Sequence, residues 1–282
     1  MLGKIVRNVH ATLPLSLRYF LARLGLVHPV WRTRIADVQS APDNTFIPRL
    51  PMAGETVNGH QIMHNGLRIE RGSYYGAAVW LMLKRNRGVH EPQEERVFGE
   101  VLESIDPGSV MLELGAYWGF YSMWFAKAVP DAKLFLVEPK NIEAGRRNLA
   151  LNDINGTFIE AYVGERPFLP EVGTRVVSVD SLVDELCLGR IAVLHSDIQG
   201  AEVLMLRGAE NTMKNQKIDF VFISTHSQGL HVECLDILRT RQFHIIATAD
   251  MHQTYSYDGL IVARRRGARG PDHVDITLKG AE

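Results

Sequence analysis

Residues 111–119 read MLELGAYWG. With Val110 in front, the run as far as Leu114 has the length and apolar character of a strand buried on both faces, and the two glycines after it stand where such a strand must turn into a helix. At that turn Gly115 lets the backbone approach a ligand closely, and Gly119 lets the following helix pack tightly against the strand. The helix start offers N–H groups able to hold a carboxylate. Ala116 and Tyr117 lie between the glycines, in the same turn. Glu113, at the carboxyl end of the strand, brings a negative charge to the crevice where open α/β sheets bind ligands, and suits a cationic amino group or a sulfonium.

Beyond this stretch, short apolar runs alternate with longer segments of helical period, the mark of a parallel sheet with helices on both faces. Strands are expected at 110–114, 133–137, 157–163, 191–195, 220–225, 244–247 and 259–263. Helices are expected near 119–128, 141–151, 181–186, 201–213 and 229–241. A helix over 91–105, with Val97, Val101, Leu102 and Ile105 on one face, feeds the first strand. The fold class is α/β: a seven-stranded, mostly parallel, doubly wound Rossmann-like sheet with an N-terminal helical extension.

Glu138 ends the second strand in LFLVEPK, 25 residues after Glu113. An acid there can accept hydrogen bonds from both ribose hydroxyls of an adenosine. NAD and S-adenosylmethionine both satisfy that glutamate, so the glycine turn has to separate them. The dinucleotide fingerprint GxGxxG needs a glycine at position 117 for a pyrophosphate, and Tyr117 stands there. No tyrosine is followed by Lys four residues later, so the Tyr–Lys pair of one large dehydrogenase group is absent too. S-adenosylmethionine is therefore the expected cofactor, and an NAD(P)-dependent oxidoreductase the second reading. A catalytically silent interaction module that keeps the fold is a third.

A further motif, HSDIQGAE from His195 to Glu202, closes the fourth strand. Asp197 points into the same crevice, Gly200 opens the turn, and Glu202 sits in the first turn of the next helix, where the dipole favours a carboxylate. Together ELGAYWGFYS, LFLVEPK, LNDINGTFIEAYVGE, VVSVDSLVDEL and IAVLHSDIQGAEVLMLRGAE resemble the FkbM-type methyltransferase family over residues 91–222. The most specific part is the D-x-[EQ]-G-x-E box running into L-x-G-A. The resemblance implies a class I methyltransferase fold and transfer of the methyl group of S-adenosylmethionine to an oxygen of a sugar or natural product. It also implies that Glu113, Gly115, Ala116 and Gly119 line the methionyl end, that Glu138 holds the ribose, and that Asp197 borders the transfer crevice, with Tyr117 a further cofactor-binding residue. The family has Asp where this chain has Glu113, Lys where it has His195 and Glu where it has Gln199. The last two differences change the charge beside the acceptor.

A hydroxyl is a weak nucleophile, so a general base is expected within reach of it. The candidates at strand ends are His226, Asp197 and His195, with His226 preferred for an imidazole titrating near neutrality. Asp197, His226 and His231 could also hold a divalent metal, but their spacing is no metal signature and none is expected. Tyr74, Tyr75 and Trp80 either roof the crevice or pack in the core.

The remaining sequence narrows the partners. With 31 Lys and Arg against 32 Asp and Glu the chain has a formal net charge of -1, so no global field calls for nucleic acid. Cys187 and Cys234 have neither CxxC spacing nor a disulfide framework, which fits a reducing, cytoplasmic setting. Arg18 and Arg23 interrupt what a signal peptide would need as its apolar region. Leu17, Phe20, Leu21 and Leu24 recur at helical spacing near Lys4, Arg7, Arg18 and Arg23, the pattern of a docked terminal helix or of peripheral membrane contact through residues 1–30. Residues 1–90 are read as an extension covering the substrate side, 91–265 as the cofactor-binding domain, and 266–282, with its RRRGARG run, as a solvated tail. The acceptor is a hydroxyl-bearing small molecule or a glycan; neither its identity nor the oligomeric state is encoded in these motifs.

Overall fold

The computed structural model describes residues 14–280. Two helices, α1 (Leu15–Arg23) and α2 (Pro29–Ser40), lead through a 3-10 turn (Pro42–Phe46) into a small antiparallel sheet of β1 (Thr56–Val57), β2 (His60–Ile62) and β3 (Arg68–Glu70). Helices α3 (Ala77–Arg85) and α4 (Pro92–Leu102) follow. Then come β4 (Val110–Leu114), α5 (Phe120–Ala128), β5 (Lys133–Val137), α6 (Ile142–Leu151) and β6 (Thr157–Ile159). A short pair, β7 (Tyr162–Val163) and β8 (Val176–Val177), precedes α7 (Val179–Glu185) and β9 (Ile191–Ser196). The chain ends with α8 (Glu202–Arg207), α9 (Glu210–Lys214), β10 (Ile218–Thr225), α10 (Gln228–Thr240), β11 (Phe243–Ala249) and β12 (Gly259–Arg265).

The main sheet has the order β11-β12-β10-β9-β4-β5-β6. All neighbours are parallel except β12, which runs antiparallel to both β10 and β11. The seven expected strands are these seven, and the sheet is doubly wound. Phe98, Phe120 and Phe222 are buried in the core on one face; Leu112, Val137, Leu206 and Ile223 are buried on the other. Because both faces are covered, the strands read as continuous apolar runs rather than as alternating ones.

Two elements differ from the sequence expectation, each for a local reason. The strand expected over 157–163 breaks after Ile159, since β5 ends at Val137 and offers no partner beyond it; Tyr162 and Val163 instead pair with Val176 and Val177. The helix expected over 201–213 breaks at Gly208. A Cβ there would lie 2.5 Å from the Gly164 carbonyl oxygen, and the Gly208 carbonyl accepts the Asp180 N–H. The Asp180 carboxylate then caps α9 through the amides of Asn211 and Thr212.

The terminal run is not a frayed tail. Arg264 pairs with Asp272, and Arg265 pairs with Asp219 at 2.7 Å. Val274 is buried and donates its N–H to Ile246, while Thr277 bonds both Asp43 and Gln93 across the face of α4.

The strand order reverses between β4, which leads into β5 on one side, and β9, its parallel neighbour on the other. The crevice opens at this switch point. It is narrow: a Cβ on Gly115, whose φ is +77°, would lie 1.8 Å from the Asp197 carbonyl oxygen. The neighbouring strand end, rather than a ligand, is what first demands glycine there. Gly119 (φ +73°) is demanded by Leu149 and Leu136, which a Cβ would meet at 2.9 and 3.4 Å, so it packs α5 against α6 and β5. Gly115→Ala is expected to destabilise the protein by about 3 kcal/mol or more in chemical denaturation. Gly189→Ala, at an exposed glycine with open space and no positive φ, should shift stability by less than about 1 kcal/mol.

Candidate active site

Three connected hollows open at the carboxyl ends of β4, β5 and β9. The largest has a volume of about 490 Å³, in the usual range for small-molecule sites, and its walls include Gly115, Tyr117, Glu138, Asp197, Tyr75 and Tyr162. Beside it a pocket of about 190 Å³ lies between α2 and the β11–β12 hairpin, lined by Trp31, Arg34, Tyr75, Asp197, Tyr257 and Asp258. A water-sized hollow of about 20 Å³ beneath them meets Glu91, Glu113, Ala116, His195 and Asp197. Of the expected cofactor residues, Gly115, Tyr117, Glu138 and Asp197 thus share one wall. Glu113 and Ala116 border the small hollow, and Gly119 serves the packing behind.

Glu138 is held firmly. Its Oε2 accepts the Tyr117 N–H at 3.2 Å, and its Oε1 accepts the amides of Lys140 and Asn141 at 3.0 Å each. A carboxylate has about four acceptor positions, so one remains, on Oε2, for a ligand hydroxyl. The pair of ribose bonds expected from the sequence reduces to one strong acceptor. The first contact also fixes Tyr117, a non-glycine residue at φ +39°.

Glu113 has a role in the turn itself. Its Oε2 accepts the Ser122 N–H at 3.1 Å, capping α5 from the strand below. The α5 amides were expected to hold a ligand carboxylate, but Glu113 consumes one of them and sets a negative charge beside the rest. Burial raises the Glu113 pKa, opposed by the charge of His195 and by the Ser122 bond. His90 and His195 line the same hollow, so its acids already face imidazole countercharges.

His226, the preferred base, does not behave as a neutral imidazole. His226 stands among three carboxylates: Nδ1 is 2.5 Å from Glu202, while Nε2 is 3.1 Å from Asp197 and 3.4 Å from Asp258. The Gln199 side-chain amide lies 2.8 Å from Nε2. Burial alone would lower the His226 pKa, but the bonds to Asp197 and Glu202 outweigh it and lift the value to about 10. The imidazole expected to titrate near neutrality is therefore a fixed cation. His195 is buried with Nε2 2.7 Å from Glu94 and its ring 4.2 Å from that of Tyr121. It too is shifted upward, burial being overcome by Glu94.

The metal arrangement through Asp197, His226 and His231 fails on geometry. His231 is turned away, to the hydroxyls of Thr225 and Thr248, and the His226 imidazolium occupies the space among the acids. Among the described residues no group of acids, cysteines and histidines is poised to hold a metal.

Several site residues gave no sequence signal. Asp258 ends the hairpin before β12; because β12 is antiparallel, its start lies with the carboxyl ends of the parallel strands. Burial raises the Asp258 pKa to about 7, against the opposing charge of His226. Oδ1 is buried and accepts no directed hydrogen bond, the 3.4 Å approach of His226 being an ion-pair contact only. Arg34 lies over the rings of Trp31 and Tyr257 at 5.1 and 5.4 Å. Tyr74 stacks on Trp118 at 4.3 Å and meets Tyr75 and Tyr117, forming the crevice wall, whereas Trp80 is core, edge-on to Tyr19.

Beneath the site lie three buried acids, Glu91 at the N-cap of α4 and Glu94 and Glu95 in its first turn. His90 sits between Glu91 at 3.0 Å and Glu95 at 2.6 Å, and Tyr121 donates to Glu91. Burial would lower the His90 pKa, but Glu91 and Glu95 raise it to about 10.

The strand order, with its antiparallel seventh strand, and the acids closing the first, second and fourth strands define the class I methyltransferase fold. Within that class, residues 165–245 match the Methyltransferase FkbM domain. The match takes in the DIQGAE box but begins after Glu138, later than the resemblance read from the motifs, and runs on to β11. The methyltransferase FkbM from Methylobacillus flagellatus KT is similar at 20% identity and a TM-score of 0.46, over 57% of this chain and 44% of that one. The chain therefore spans less than half the length of that relative. Precorrin-6y C5,15-methyltransferase from Geobacter metallireducens GS-15 is similar at 14% identity and a TM-score of 0.41, over 61% of this chain and 88% of that one. M. capricolum TrmK in complex with S-adenosyl-homocysteine is similar at 13% identity and a TM-score of 0.41, over 63% of this chain and 70% of that one. No protein of curated function matches the sequence.

Two of the raised histidines, His90 and His226, set a pH dependence. Their folded pKa values of about 10 exceed the unfolded value near 6.5, so the stability they contribute is full below about pH 6.5 and is lost as pH rises through about 10. Scanning calorimetry should show Tm falling from pH 7 to pH 10, with a shallower fall in His90→Gln. An unchanged slope in that variant would refute the assignment for His90.

Proposed function

We propose that this chain is an S-adenosylmethionine-dependent methyltransferase acting on a hydroxyl oxygen. The observation that carries the reading is the juxtaposition, at the β4/β9 switch point, of a nucleoside-sized cavity bearing the Glu138 acceptor with a second pocket that shares Asp197. The residues fit the cofactor: Glu138 keeps one acceptor position for a ribose hydroxyl, and Tyr117 excludes the close approach a pyrophosphate needs. Bound there, S-adenosylmethionine supplies a methyl carbon activated by its sulfonium.

The chain's own residues then have three tasks. Tyr74, Tyr75 and Tyr117 wall off water between the two pockets. Trp31, Tyr75 and Tyr257 offer ring faces against which a small cyclic acceptor or a single glycan unit can stack. Asp258, ionised in part at neutral pH, takes the hydroxyl proton on its carboxylate as the oxygen becomes a nucleophile. His226 acts as a positioning residue, holding Asp197 and Asp258 in place while staying protonated itself.

Isothermal calorimetry tests the cofactor half. Wild type should bind S-adenosylmethionine, and Glu138→Ala should bind it at least about tenfold more weakly, a loss of about 1.4 kcal/mol. No binding by wild type, or undiminished binding by the variant, would sink the proposal. Asp258 can be examined without an acceptor, by carboxyl carbon NMR referenced to Asp258→Asn. Its resonance should titrate near pH 7, and a midpoint near 4 would remove it as the base.

A further inference from the structure

Helix α1 is apolar on two sides, and only one of them is covered. Tyr19 and Ala22 are buried against α3, with the Tyr19 ring 5.2 Å from that of Trp80. Leu17, Phe20 and Leu24, spaced three and four apart, face outward at 39%, 57% and 60% exposure. Leu26 and Val30, both about half exposed, extend the stripe into the start of α2. An exposed apolar stripe of this kind marks a docking surface.

Charge indicates what covers it. Residues 1–36 contain Lys4, Arg7, Arg18, Arg23, Arg32 and Arg34 and not one Asp or Glu, in a chain whose overall charge is -1. Lys4 and Arg7 lie outside the described residues; Arg23 and Arg32 are exposed beside the stripe. A second copy of the chain packed through this face would set the same arginines against each other. An anionic lipid surface complements both features at once, apolar side chains entering the acyl boundary and basic ones meeting headgroup charge.

We propose that the face formed by Leu17, Phe20, Leu24, Leu26 and Val30 docks on an anionic membrane surface. No helix among the described residues is long and apolar enough to cross a membrane, so the contact is interfacial. Val30 also lines the 190 Å³ pocket, and docking therefore sets the rim of that pocket beside the headgroups. The docking does not depend on the methyl-transfer reading.

Sedimentation of the full chain with phosphatidylcholine vesicles, with and without phosphatidylglycerol, tests it. Binding should require the anionic lipid, weaken with added salt, and fall at least about tenfold in the double variant Phe20→Glu, Leu24→Glu. Both positions are exposed, and an unchanged melting temperature and S-adenosylmethionine affinity in that variant would show that the fold and the cofactor site are untouched. Equal binding of wild type to neutral and anionic vesicles, or undiminished binding by the double variant, overturns the proposal. So does a dimer in sedimentation velocity that the double variant abolishes while wild type ignores vesicles.

Discussion

Where β4 ends, there is room for a backbone and for nothing more. Gly115 lies so close to the Asp197 carbonyl that a single methyl group would overlap it, and the Asp197 N–H donates back to Leu114 at 2.9 Å. This crossing brings the ends of β4 and β9 together while the chains that leave them turn to opposite sides. The crevice between those departing chains is the site, so its position follows from a steric limit on two adjoining strand ends. The rest depends on it. Tyr117 takes its left-handed conformation one turn later, Glu138 reaches across to hold that residue's amide, and Glu113 caps the helix that the turn begins.

The second organising feature is a cation at the centre of each acid cluster. His226 gathers Asp197, Glu202 and Asp258; His90 gathers Glu91 and Glu95. Carboxylates brought this close without a countercharge would repel one another and take up protons. The imidazolium counters that repulsion and keeps the carboxylates aimed, although the desolvation of both partners offsets much of the gain in stability. The imidazolium does what a metal ion would do in a site of the same shape. Asp258 is the exception within its cluster: it sits at the edge of the pairing distance, and its burial goes only partly compensated.

The two halves of the site are built from different parts of the chain. The larger cavity is made mainly by segments that follow core strands, with Tyr75 added from the segment before α3. The smaller pocket borrows Trp31 and Arg34 from α2 and Tyr257 and Asp258 from the terminal hairpin. Those parts are tied down separately, the C-terminal segment by Val274, Thr277 and the α4 face. A cofactor half set by the core and an acceptor half set by its attachments lets the second vary without disturbing the first.

Alternating apolar runs and helical periods are local properties, and the seven main strands, the helices between them and the glycine turn could be read from them directly. The acids at 113, 138 and 197 were legible for the same reason, since a residue that closes a parallel strand lies at the crevice whatever the rest of the chain does. Ionisation was not. His226 looks like a neutral base when only its neighbours in sequence are considered; Asp197, Glu202 and Asp258 reach it from elsewhere in the chain and make it a cation. Arg34 and Asp258 entered the site through the docking of α2 and the reversal of β12, both of which are contacts across long stretches of chain. Period and spacing reveal where a backbone must go, whereas the charge state of a side chain depends on every group that folding brings within a few ångströms of it.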